Sequence, residues 1–172
     1  MGETSVSPIF LTTATEASMR ATCDLYDDHE GNVQTCFLQF RDFGARRRFC
    51  GPVRTVSCHE DNSVVRELLG KPGNGAVIVV DGQGSTGKAL LGDMLAARAA
   101  ENGWSGLVIN GAVRDSAELA EIDIGVKALG TNPAKSVKKG GGELDVIVEF
   151  GGARFEPGHW IYCDEDGVLV AP

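Results

Sequence analysis

The chain is short of everything that would place it in a membrane, on a nucleic acid or in a disulfide scaffold. Its longest apolar run falls well below the ~20 residues that a spanning helix needs, and no basic segment followed by an apolar one opens the chain, so no secretory signal is expected. Positive charge is in deficit: 16 Lys and Arg stand against 24 Asp and Glu, a net charge of -8, which argues against general affinity for nucleic acid. The five cysteines (Cys23, Cys36, Cys50, Cys58 and Cys163) are odd in number and form no CxxC pair. That excludes a disulfide framework or a zinc site as the first reading and points to reduced, mostly buried thiols in a cytoplasmic protein. Internal repeats and linkers are also missing. The 172 residues therefore suit one domain, with residues 1–13 as a loose leader and 14–172 as the folded unit.

What the chain does have is glycine, 23 of 172 residues against an average of roughly 7%. The glycines cluster at the ends of apolar runs, which signals tight turns. Residues 15–28 carry a helical pattern through Ala17, Met19, Ala21 and Leu25; Cys36–Phe40 and Pro52–Cys58 read as strands. Asp61-Asn62-Ser63 opens a helix that Gly70 ends. Ala76–Val80 and Leu107–Asn110 are continuous apolar runs, hence strands buried on both faces. Between them a helix is expected from Lys88 to Asn102, and a short one follows over Ser116–Glu121. Val126–Leu129 and Asp145–Phe150 read as further strands. The tail, His159–Cys163 and Val168–Val170, reads as a hairpin turning through Asp164-Glu165-Asp166-Gly167. Alternating elements in the middle and strands at both ends give an α/β sandwich with a mixed sheet. Residues 131–142 (TNPAKSVKKGGG) read as a basic surface loop, a solvated connector or a contact to a neighbouring subunit.

One motif misleads. Gly82, Gly87 and Lys88 fit the GxxxxGK part of a phosphate-binding loop after a strand. Ala89 lacks the hydroxyl that would hold magnesium, and Asp81 would set a negative charge near the phosphates. The segment is better read as a glycine-rich turn.

The chemistry-bearing pattern is Asp93, twenty residues, Arg114-Asp115, two residues, Glu118. Three carboxylates around one guanidinium suit a divalent cation with an anionic substrate. Ligands in open α/β sheets sit beyond the carboxyl ends of strands, and both halves of the pattern follow buried strands. Each residue alone has a plainer reading. Asp115-x-x-Glu118 fits a helix cap and its third-position acid, Arg114 a surface pair with Asp115, and Asp93 a solvated helix residue.

Together with other stretches these residues resemble the RraA-like family, which contains the regulators of ribonuclease activity A and the metal-dependent 4-hydroxy-4-methyl-2-oxoglutarate aldolases. The stretches are Cys36–Phe40 with Gly44, Glu60-Asp61-Asn62, Val79-Val80-Asp81-Gly82, Gly92-Asp93, Glu101-Asn102-Gly103-Trp104, Gly111-Ala112-Val113-Arg114, Ile122-Asp123-Ile124-Gly125, Phe150-Gly151-Gly152 and Asp166-Gly167. The aldolases of the family carry Asp-x20-Arg-Asp-x2-Glu/Asp, and this chain satisfies it in full. The resemblance implies a single-domain, mixed-sheet sandwich of the swivelling β/β/α type. It also implies a class II aldolase with oxaloacetate decarboxylase activity that forms a pyruvate enolate. In that reading Asp115 ligates Mg2+ or Mn2+ directly, and Glu118 acts through a water. Arg114 meets the keto or enolate oxygen, Asp93 positions a proton-carrying water, and the amides of Gly92, Asp93, Met94 and Leu95 cradle the substrate carboxylate. Pyruvate and oxaloacetate are the expected small-molecule partners. A homotrimer, alone or paired into a hexamer, is the implied assembly. The alternative function is a non-catalytic protein that binds and inhibits ribonuclease E. No lysine lies in the motif, so a Schiff-base aldolase is disfavoured, with Lys88 the nearest candidate in sequence.

Overall fold

Alternation of apolar residues across a central sheet organises the fold. The computed structural model describes residues 19–172; the expected leader and the first residues of the N-terminal helical pattern lie outside them. In chain order the elements are α1 (Thr22–His29), β1 (Gln34–Cys36), β2 (Arg41–Asp42), β3 (Phe49–Ser57), α2 (Ser63–Leu69), β4 (Val77–Asp81), β5 (Ala89–Leu91) and α3 (Asp93–Glu101). They continue with β6 (Gly106–Val113), α4 (Ser116–Leu119), β7 (Gly125–Thr131), β8 (Glu143–Leu144), β9 (Val148–Phe150), β10 (Ala153–Phe155), β11 (Trp160–Asp164) and β12 (Gly167–Ala171).

The main sheet runs β1-β12-β11-β3-β4-β6-β7-β2, with β5 on β6 and β8 on β3. Its centre, β3-β4-β6-β7, is parallel, and its flanks are antiparallel. Successive residues of β4 explain its unbroken apolar run, because side chains on a strand point to opposite faces in turn. Ile78 and Val80 join one core with Leu107, Ile109, Leu68 and Ala96, under helices α2 and α3. Val77 and Val79 join a second core with Val108, Phe155 and Ile161, under the β9–β10 ribbon and β11. Helices thus cover one face and a small second sheet the other, giving the β/β/α layering.

Several expected boundaries move. The helix expected over Lys88–Asn102 begins only at Asp93, because Ala89, Leu90 and Leu91 are almost wholly buried and form strand β5 instead. That also removes the phosphate-loop geometry from 82–88, since a strand and not a helix follows it. β6 runs three residues past Asn110; its register shifts between Ile109 and Ala112, and the extension pairs with β5. Of the strand expected over Cys36–Phe40 only Cys36 is in a strand, as the last residue of β1; beyond it Phe37 donates its amide to the Gly151 carbonyl at 2.8 Å and its ring stands exposed. The strand expected over Asp145–Phe150 begins at Val148 and folds back on β10 through Gly151-Gly152, both at positive φ (59° and 75°), a conformation that favours glycine. The C-terminal hairpin forms as expected, with Asp164 opposite Gly167. All five cysteines are free thiols, four of them buried. No helix among the described residues is long and apolar enough to cross a membrane.

Candidate active site

The two halves of the motif meet because β5 lies along the end of β6. Leu91 pairs with Val113, so Gly92-Asp93 and Arg114-Asp115 leave adjacent strands at the same level. The Arg114 amide donates to the Leu91 carbonyl at 2.9 Å and ties the two exits together. β4 and β6 are parallel neighbours, as expected, but β5, which the sequence reading missed, makes the contact.

Asp115 is the pivot. It precedes α4 in a left-handed conformation (φ 58°, ψ 45°) and makes no side-chain cap to that helix. Such a backbone is uncommon for a residue other than glycine, although aspartate tolerates it, and strained residues of this kind cluster at functional sites. The turn aims the carboxylate at the start of α3 instead, where the Asp93 amide donates to Asp115 Oδ2 at 3.1 Å. Asp115 Oδ1 lies 3.7 Å from Arg114 Nε, with both side chains about one third exposed. Gly92 makes room: a Cβ there would fall 2.7 Å from Asp115 Oδ2 and 3.3 Å from Arg114 Cγ. The Asp93 carboxylate accepts from the Met94 amide at 2.8 Å. The helix-cap reading of Asp115 is therefore set aside, and the pairing of Arg114 with Asp115 is present but inside the site.

Gly92, Asp93, Met94, Leu95, Arg114 and Asp115 all line one open pocket of about 470 Å³, of the size that holds small organic ligands. Met94 stands at it largely exposed. Glu118 is set apart: it is exposed on α4 and does not line this pocket. Among the described residues no group of three or more His, Cys, Asp or Glu stands ready to hold a metal. The donor that is present, one partly exposed carboxylate over a glycine, suits a hard cation that keeps most of its waters, as magnesium does, and not an all-protein cage.

The cationic part of the lining, a second wall of the pocket, was not expected. It carries Arg66 from α2, Arg98 from α3, and Lys135 and Lys138 from the 131–142 segment, with Asn62 between them. The Asn62 side chain is buried; its Nδ2 donates to the Leu90 carbonyl at 3.2 Å, and its Oδ1 has no partner. The 131–142 segment is not a solvated connector. Ala89 donates its amide to the Ala134 carbonyl at 2.7 Å, and the Ser136 hydroxyl donates to the Ala89 carbonyl at 2.6 Å. Further on, the amides of Lys139 and Gly141 both donate to Asp61 Oδ2 at 3.0 Å, while Ser63 donates to Asp61 Oδ1 through its hydroxyl at 2.6 Å and its amide at 2.9 Å. These bonds, the Ser63 pair foremost, hold the Asp61 carboxyl down to about 2. The segment is a strap fastened at Ala89 and at Asp61. The only sequence signal for it was the KKGGG composition, since its fastenings join residues that lie 45 to 80 positions apart.

Known proteins share this framework. The family model described as RraA-like, Aldolase/RraA, matches residues 22–170. A protein of Alkalilimnicola ehrlichii named "Putative 4-hydroxy-4-methyl-2-oxoglutarate aldolase" is 59% identical over 150 residues, covering 87% of this chain and 93% of that one. The structure of an RNA-processing inhibitor RraA from Thermus thermophilis superposes with a TM-score of 0.87 at 46% identity, over 90% of this chain and 93% of its own. A Geobacillus kaustophilus structure named as an S-adenosylmethionine: 2-dimethylmenaquinone methyltransferase gives a TM-score of 0.87 at 51% identity, over 88% of this chain and 94% of its own. With a family model spanning nearly all the described residues and two folds superposing this closely, the chain belongs to the RraA-like family.

Proposed function

We propose that the protein is a divalent-metal-dependent carbon–carbon lyase. It cleaves 2-keto acids of the 4-hydroxy-4-methyl-2-oxoglutarate type to pyruvate and decarboxylates oxaloacetate through the same enolate. The observation that carries this reading is the Asp115 carboxylate, turned away from its own helix to stand beside Arg114 and the start of α3 in an open pocket. The name of the Alkalilimnicola ehrlichii relative supports it.

Asp115 would hold magnesium or manganese, with Glu118 reaching it through a water. When bound, such an ion supplies a Lewis acid that draws electron density from the keto oxygen. The chain's residues do the rest. The Arg114 guanidinium faces the same oxygen and favours the enolate over the ketone, because a fixed donor gains most where charge develops. The positive end of α3, at Gly92 to Leu95, receives the substrate carboxylate. In cleavage, the C4 hydroxyl gives its proton, through the water that Asp93 places, to the Asp93 carboxylate, and the C3–C4 bond breaks. The C4 oxygen becomes a carbonyl, and the bonding pair moves to C3 as the enolate of pyruvate. Asp93 places the water that returns a proton to C3. In oxaloacetate the bond to the C4 carboxylate breaks instead, carbon dioxide leaves, and no hydroxyl proton is involved.

The test is pyruvate release from both substrates by the purified protein. It should stop with EDTA and return with magnesium or manganese. Full activity in both Asp115→Ala and Arg114→Ala proteins would sink the assignment. The Thermus relative is named an RNA-processing inhibitor, which supports a second reading in which this chain binds and inhibits a ribonuclease, ribonuclease E being the candidate. Capture of that ribonuclease by the Asp115→Ala protein would show a surface role independent of the site.

A further inference from the structure

The protein carries a net charge of -8, yet this one pocket gathers Arg66, Arg98, Arg114, Lys135 and Lys138 against only Asp93 and Asp115. Arg114 has Asp115 beside it. Among the described residues the other four make no ion pair. An acidic protein that concentrates unpaired cations in one concavity focuses a positive potential there. The arrangement is also built. The Arg98 guanidinium is braced against the end of α2, its Nη2 lying 2.6 Å from where a Gly70 Cβ would sit. Arg66 extends from the same short helix. Lys135 and Lys138 are carried to the pocket by the strap, whose course past Lys138 is fixed by two amides on Asp61 and by a third, Gly140, on the Ser63 hydroxyl at 2.9 Å.

We infer that Arg66, Arg98, Lys135 and Lys138 form a subsite for a second carboxylate on the substrate, at the end of the carbon chain remote from the keto acid, with Asp61 as the positioning residue that sets the strap. This rests on the aldolase reading and deepens it. The α3 start and Arg114 take the 2-keto acid group common to all substrates, and the cationic wall selects those that carry a further negative charge. Arg66 and Arg98 offer planar forks that match a carboxylate, and the lysines add charge that the strap keeps close.

Calorimetry with two uncleavable keto acids tests this in magnesium-containing buffer: 2-oxoglutarate, with a second carboxylate, and 2-oxobutyrate, without one. The unaltered protein should prefer 2-oxoglutarate by about tenfold or more, the worth of one charge-assisted hydrogen bond. Arg66→Ala and Lys138→Ala should each lower that ratio, Lys138→Glu should lower it further, and Arg66→Lys should restore part of it. Asp61→Asn, which removes no cation, should lower it as well. A ratio near one in the unaltered protein, or a ratio unchanged by Arg66→Ala and Lys138→Ala, overturns the subsite. A ratio unchanged by Asp61→Asn alone overturns the role of Asp61. If neither keto acid binds, the aldolase reading itself fails.

Discussion

The two walls of the pocket are made in opposite ways. On one, Gly92, Asp93, Arg114 and Asp115 emerge from paired strand ends and are tied by a backbone bond of 2.9 Å and an amide-to-carboxylate bond of 3.1 Å, with a glycine where no side chain fits. On the other, Arg66, Arg98, Lys135 and Lys138 are long, exposed side chains on two helices and a strap. Bond-making chemistry needs reacting groups held to within about an ångström, which only the first wall provides. Recognition of charge tolerates flexible arms, because attraction between ions falls off slowly with distance. On the proposed function, the difference fits catalysis at one wall and selection at the other, and experiments can separate them.

The largest effect should come from Asp115→Ala and Arg114→Ala, which lower kcat by about 10²–10³-fold, the range for removing one group that meets developing charge. Pyruvate release measures it, and melting temperatures close to the parent's would confirm that the fold survives. Gly92→Ala comes next. Its methyl group would fall 2.7 Å from Asp115 Oδ2, so the carboxylate must shift, and a loss approaching about 10²-fold in kcat is expected. Glu118→Gln should cost less, about tenfold, as for groups that act through a bound water. A loss as deep as that of Asp115→Ala would move Glu118 into the first wall and break the division drawn above. On the selecting wall, added sodium chloride should raise KM for a dicarboxylate while leaving kcat nearly constant, because exposed charges are screened.

The smallest effect concerns the strap and pH. The Asp61 carboxyl is lowered from 3.8 to about 2 by its hydrogen bonds. A depressed carboxyl contributes stability that is complete above its unfolded value and is lost as pH falls toward the folded one. Hydrogen exchange at the Lys139 and Gly141 amides, corrected for intrinsic rates, should therefore stay slow down to about pH 4 and quicken between there and about pH 2. Slow exchange that persists at pH 2 would show that the strap is held by other bonds.

Legibility in the sequence followed the range of the interactions. The runs at Ala76–Val80 and Leu107–Asn110 announced two buried parallel neighbours, because burial on both faces leaves an unbroken apolar stretch, and the structure pairs them. The C-terminal hairpin was visible for the same local reason. The catalytic candidates were visible by spacing, but the element that joins them was not. Ala89-Leu90-Leu91 suits a helix by propensity, and only its partners on β6 and the strap make it a strand. The strand expected over Leu107–Asn110 continues through an irregular stretch to Val113. The left-handed Asp115 carries no sequence signature, so a helix cap was the natural first reading. The cationic wall was hidden because its members come from three separate segments and share neither a period nor a spacing.

The register of β1 bears on how the chain folds. Gln34, Thr35 and Cys36 pair with Val170, Leu169 and Val168, and β12 in turn pairs with β11, which pairs with β3. β1 therefore has no strand neighbour until β12 has been made. Until β11 emerges, β3 can recruit β4, and β4 then β6, but the Phe49–Pro52 stretch of the other edge of β3 stays open. The parallel centre, whose strands need long crossovers, can assemble early. The antiparallel flank closes only once β12 has been made, so that strand, and not the central core, sets when an exposed strand edge is finally covered.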